Sequence, residues 1–157
     1  MRDSGFFVDK VNSHSISILI HNFEFKIKTM EHLAEIFILI MLAIVFLQSG
    51  IDKITDWKGN LGWLKGHFAN SPFRNIVPLL LFVLTIFEVV SGLTSVVGAV
   101  ALLTCGGSFF ALLGGILSAL TFMMLFLGQR LAKDYPGAQT IVIYLIPTVF
   151  LLYLLTN

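Results

Sequence analysis

Apolar residues dominate the chain from Leu33 onward in four runs, separated by three stretches where charges and turn residues return. The first run covers about 33–51 and has the uninterrupted apolar core Ile36–Leu47. The second, about 76–103, holds Glu88, and no other charged residue occurs between Arg74 and Arg130. The third covers about 108–128 and the fourth about 138–155. A helix needs roughly 20 mostly apolar residues to cross a bilayer, so the pattern predicts four membrane spans. One long and two short connections between them predict an all-α, integral membrane four-helix bundle of up-down topology. Thr104-Cys105-Gly106-Gly107 reads as a tight turn joining spans two and three into a hairpin. Pro147 in span four frees the carbonyl of Ile143 and can kink the helix.

The polar stretches refine the picture. Residues 52–75 form a long connection that mixes Trp57, Trp63, Phe68 and Phe73 with basic residues. Amphipathic rings anchor at the headgroup level, and Leu61, Leu64 and Phe68 share one helical face. A short interfacial helix is expected at about Leu61–Ala69, between spans one and two. Ser71 or Asn75 can cap the following helix, with Pro72 or Pro78 in its first turn. Residues 1–29 differ from the rest: they carry seven charges and one short apolar run, Ile16–Ile20, too short to span. Met30 looks like a second start. The segment reads either as a non-native extension from an upstream start or as a peripheral amphipathic segment. Span one reads as a retained helix, not a signal peptide, because Met30–Glu35 has two acids and no Lys or Arg.

Composition agrees with a membrane class. Of 157 residues, 57% are hydrophobic and 12% charged, about half the charge share of soluble domains. A net charge of +1, scattered along the chain, does not suggest nucleic acid. Cys105 is the lone cysteine, which excludes an intrachain disulfide or dithiol pair. His14, His21, His32 and His67 are scattered outside the spans, so no metal-ligand cluster is expected. With four spans, the 52–75 and 129–137 connections share one side and hold six Lys and Arg. The positive-inside rule places that side in the cytoplasm and both termini outside.

Glu88 is the candidate centre of chemistry, since an intramembrane carboxylate is costly and usually faces protein, a partner or water. Thr85, Glu88, Ser91, Gly92, Ser95 and Ala99 recur at spacings of three and four and share a face. Small residues there let helices approach closely; Gly92 and Ser95, with Gly115 in the Ala111, Gly115, Ala119 stripe of span three, are the expected packing positions. In the up-down topology Gln48, Lys53, Arg130 and Tyr144 all lie toward the end from which Glu88 is approached. Gln48 and Tyr144 are the expected nearest neighbours of Glu88, with Lys53 or Arg130 further out.

Phe46-Leu47-Gln48-Ser49-Gly50-Ile51-Asp52-Lys53, Glu88 with Gly92, and Gln129-Arg130-Leu131-Ala132-Lys133-Asp134-Tyr135-Pro136-Gly137-Ala138 follow one another in this order. In that order they resemble the DoxX-like family of small four-span bacterial membrane proteins, over about residues 33–156. The resemblance implies an inner-membrane protein, often without a defined activity of its own. Some relatives are grouped with membrane oxidoreductase complexes or a thiosulfate:quinone oxidoreductase subunit. It implies an accessory or anchoring subunit of a quinone-linked oxidoreductase, with quinone near the Glu88 face and a soluble redox partner. The residues themselves allow two other readings: a small-molecule or lipid binding or transport protein using a Glu88 cavity, alone or as a homo-oligomer, and a structural bundle in which Glu88 is merely paired.

Overall fold

The computed structural model describes residues 32–104 and 107–157. The expectations for residues 1–29 and for Cys105-Gly106 fall outside the described residues. Among the described residues there are five helices and no strands. They are α1 (Leu33–Thr55), α2 (Trp57–His67), α3 (Val77–Thr104), α4 (Phe109–Leu131) and α5 (Tyr135–Thr156). All but α2 are long and apolar enough to cross a membrane, which fits a multi-pass membrane protein. At 1.5 Å per residue, even α5 reaches about 33 Å, enough for a hydrocarbon core of about 30 Å.

Successive spans pack antiparallel, and small residues set how closely they approach. A Cβ on Gly50 would come within 2.7 Å of the Val89 side chain, and one on Gly92 within 2.7 Å of Leu47. These two glycines set the close approach of α1 to α3. At the α3–α4 crossing a Cβ on Gly98 would lie 2.6 Å from the Ala111 Cα, backbone against backbone. Gly114 sits against Ser95 in the same seam. Gly115, one residue on, faces α5 and meets Leu152 instead. Thus α4 has two small faces, one for each neighbour. Lipid offers helices no hydrophobic reason to associate, and such close contact supplies it through dispersion. The core between them is apolar: Leu39, Leu42, Phe46, Phe122 and Leu151 are fully buried. Phe46 and Phe122 pack at 4.6 Å between ring centroids, and Tyr144 stacks on the far side of Phe122 at 5.8 Å.

The helix ends depart from the expected bounds for local reasons. α1 runs four residues past Ile51, because Lys53 turns inward and does not end the helix. α2 begins at Trp57, earlier than Leu61, because Asp56 caps it, its Oδ1 accepting from the Gly59 N–H at 3.0 Å. Asp134 does the same for α5 by accepting from Gly137 at 2.9 Å, with Pro136 in the first turn, so α5 starts at Tyr135 and not Ala138. The α4–α5 corner is a Schellman turn: Asp134 N–H bonds Gln129 O, and Lys133 N–H bonds Arg130 O. Lys133 takes the left-handed position there, with φ 63°. Ser71 does not cap α3; its hydroxyl donates to Phe68 O and accepts from Phe73 N–H, fixing the turn before it. Pro78 does lie in the first turn of α3.

Candidate functional site

Thr85, Glu88, Ser91, Gly92, Ser95 and Ala99 all lie on the buried face of α3, as their spacing predicts. Glu88 is 1% exposed. It is eleven residues into α3 from Val77, about 16 Å along the axis at the helical rise. Its partners come from the last two turns of α1, where Ser49 and Lys53 stand four residues apart on one face. Ser49 Oγ donates to Glu88 Oε1 at 3.1 Å, and Lys53 Nζ donates to the same oxygen at 3.0 Å. Lys53 also donates to Ser49 Oγ at 2.6 Å. Glu88 Oε2 lies 2.9 Å from the same ammonium, so both carboxylate oxygens face Lys53. The triad is closed: the Lys53 side chain is 14% exposed and the carboxylate is sealed.

Of the expected neighbours of Glu88, the structure brings in Lys53 alone. Lys53 was expected to stand further out, but its four-carbon stem runs back along α1 and its ammonium reaches the carboxylate directly. Gln48 is exposed and stands about 100° around the axis of α1 from Ser49. Tyr144 is occupied in the aromatic stack on Phe122. Arg130 is exposed, and its guanidinium lies over the Tyr135 ring at 4.8 Å. Ser49 went unpredicted; its signal was the four-residue spacing to Lys53, readable once Lys53 is turned inward.

Beside this triad is a cavity of about 300 Å³ beneath α2. Its walls are Leu80, Leu81 and Leu84 of α3, Met124, Leu125 and Leu127 of α4, and Trp63 and Leu64 of α2, with Phe68 and Phe73 beyond. Lys53 of α1 and Gln129 of α4 add polar groups to the lining. α2 is held over the cavity by His67, whose Nε2 lies 2.9 Å from Gln129 Oε1 and 3.8 Å from Asp134 Oδ2. The His67 ring also stacks on Trp63 at 4.7 Å and meets Phe68 edge-on at 5.3 Å. On the other side of the pair, Ile54, Trp57, Phe82, Ile86 and Val90 line a shallow, open groove, apolar like a surface that lipid chains cover.

From Glu88 toward the far end of α3, hydroxyls continue along the α3–α4 seam. Ser91 and Thr121 share a buried hydrogen bond at 3.0 Å. Ser95 and Ser118 follow, buried and without hydrogen-bond partners for their hydroxyls among the described residues. Gly98 against Ala111 then closes the seam. Among the described residues no three His, Cys, Asp or Glu side chains come together as a metal-binding group. The arrangement can therefore do two things chemically: hold a proton between a carboxylate and an amine within a sealed triad, and enclose a mostly apolar molecule beside it. No family model, curated protein or solved structure matches the chain.

Proposed function

We propose that the protein is a DoxX-like bacterial inner-membrane protein that binds a small amphiphile in the cavity beneath α2. The cavity carries this reading. It lies among α2, α3 and α4, has apolar and aromatic walls, and includes Lys53 of the ion pair in its lining. Ligand cavities commonly measure about 300–1,000 Å³ with mostly apolar linings and a few placed polar groups. The order of the Gly50–Lys53, Glu88–Gly92 and Gln129–Gly137 segments along four spans supports the family. The six Lys and Arg of the two connections at the α2 end support a cytoplasmic position for that end. In this reading the Lys53–Glu88 pair bounds the cavity and holds α1 against α3.

The runner-up is an accessory subunit of a quinone-linked oxidoreductase, favoured by a protonatable pair beside a cavity that admits a ring. Gentle purification from native membranes, with mass spectrometry of bound protein and lipid, separates the two. The expected result is one recurrent amphiphile near stoichiometric amount, reduced in Leu84→Phe, whose ring narrows the cavity. A recurrent soluble oxidoreductase together with bound quinone would replace this reading with the accessory one. An empty protein from both wild type and Leu84→Phe would overturn the cavity as a binding site.

A further inference from the structure

The polar groups around the cavity differ sharply in whether they are free, and the difference bears on the ligand. Lys53 is committed to Glu88 and Ser49. Asn60 donates to the carbonyls of Asp52 and Asp56 at 3.3 and 2.9 Å. His67 and Gln129 are bonded to each other. A headgroup drawn into the interior would lose its water against mostly apolar walls and meet a few side chains that already hold protein partners, and each unmet hydrogen bond is costly in an apolar site. The interior therefore suits a hydrocarbon chain.

The rim is different. Three of the segments that line the cavity carry an exposed cation next in sequence to a lining residue. Lys65 follows Leu64, Arg74 follows Phe73, and Arg130 follows Gln129. Outside the Lys53–Glu88 pair, the two connections at the α2 end carry five cations, Lys58, Lys65, Arg74, Arg130 and Lys133, against three acids, Asp52, Asp56 and Asp134. That leaves exposed positive charge around an apolar cavity, and such a field attracts an anion. The volume of about 300 Å³ is at the low end for ligand cavities, room for one chain and not for a two-chain lipid.

From this we infer that the ligand is a single-chain amphiphile with an anionic headgroup, its chain in the cavity and its headgroup at the rim among Lys65, Arg74 and Arg130. The inference rests on the amphiphile-binding reading above and specifies its ligand. Fatty acids and anionic lysophospholipids share this chemistry, and the test separates them.

The test uses the full chain with Trp57→Phe, in discs of zwitterionic lipid, so that Trp63 on the cavity wall reports alone. Three brominated probes of equal chain length are compared at equal membrane concentration: a fatty acid, its neutral methyl ester and an anionic lysophospholipid. One or both anionic probes should quench Trp63 with at least about fivefold tighter binding than the ester, the effect of one nearby cation at a membrane surface, and up to about a hundredfold if all three act. The preference should collapse at 1 M salt, where the Debye length falls to about 3 Å. Replacing Lys65, Arg74 and Arg130 together by Gln should bring the anionic probe down to the level of the ester. Retained ester binding in that variant shows that it is folded. Quenching by all three probes with equal affinity and no salt dependence would overturn the anionic ligand while leaving the cavity reading in place. No saturable quenching by any probe, or quenching with an affinity that Leu84→Phe leaves unchanged, would overturn both.

Discussion

Removing Lys53 should cost the protein more than removing the acid it neutralises. The asymmetry comes from burial: Glu88 is 1% exposed and the Lys53 side chain 14%. Lys53→Met keeps the bulk of the stem but takes away the ammonium that stands 3.0 and 2.9 Å from the two carboxylate oxygens. Only the Ser49 hydroxyl then remains on Glu88. Stripping one partner from a buried pair costs about 3–5 kcal/mol, and an unpaired acid at the centre of a membrane helix costs about 2.5–3.5 kcal/mol by insertion measurements. The two scales meet near 3 kcal/mol. Glu88→Gln leaves an amide that Ser49 can still bond, and it leaves a lysine near the end of α1 whose stem can extend toward water. Its expected cost is about 1–2 kcal/mol. The double variant should recover part of the larger loss, with a coupling of about 1–3 kcal/mol. Unfolding in mixed micelles titrated with denaturing detergent, followed by helical circular dichroism, measures all four proteins. The reasoning fails if Glu88→Gln is the costlier single change, or if the two changes add within about 0.5 kcal/mol.

The remaining expectations are smaller and local. Gly98→Ala should destabilise by about 1–3 kcal/mol in the same assay, because its Cβ meets the Ala111 backbone and no side chain can give way. Gly62→Ala, with nothing within 4 Å, should instead stabilise α2 by up to about 1 kcal/mol. His67→Ala should weaken the hold on α2 by about 1 kcal/mol, read as faster amide hydrogen exchange across Trp57–His67 while α3 is unchanged. Lys133→Gly should raise stability by up to about 1 kcal/mol, since glycine takes the left-handed corner without steric penalty.

The spans and the polar face of α3 were legible because both depend on short-range pattern. Twenty apolar residues make a span whatever surrounds them, and Thr85, Glu88, Ser91 and Ser95 share a face by helical spacing alone. The partner of Glu88 was not legible by that route. α1 is apolar almost all round, so its pattern does not say which side faces α3, and Gln48 and Ser49 are indistinguishable by depth. The phase is set by Gly50 against Val89, a contact between helices 39 residues apart in the chain. Gly98 and Ala111 were hidden for the same reason: small residues mark a packing face, but their opposite numbers appear only when two helices are brought together. The start of α2 was obscured by Gly59, Gly62 and Gly66, which lower helix propensity, while the Asp56 cap overrides them.

The cavity follows from a mismatch in length that no single segment reveals. Leu47 meets Gly92 and Gly50 meets Val89, so in this antiparallel register Thr55, the end of α1, is about level with Leu84. α3 continues for two more turns to Val77, and α4 runs alongside to Leu131. That part of α3 and α4 has lost α1 as a neighbour, and the apolar side chains left there need another cover. α2 provides it incompletely: it has eleven residues, three of them glycine, and none is fully buried. The gap that remains is the cavity, and its position is tied to that of the charge. Lys53 is the last residue of α1 that can reach inward before the chain breaks at Asp56, and Glu88 stands where α1 still covers α3. The ion pair thus falls at the boundary between the closely packed part of the bundle and the loosely covered part. A change that moves this boundary, such as a bulky residue at Gly50 or Gly92, should therefore disturb the cavity and the pair together.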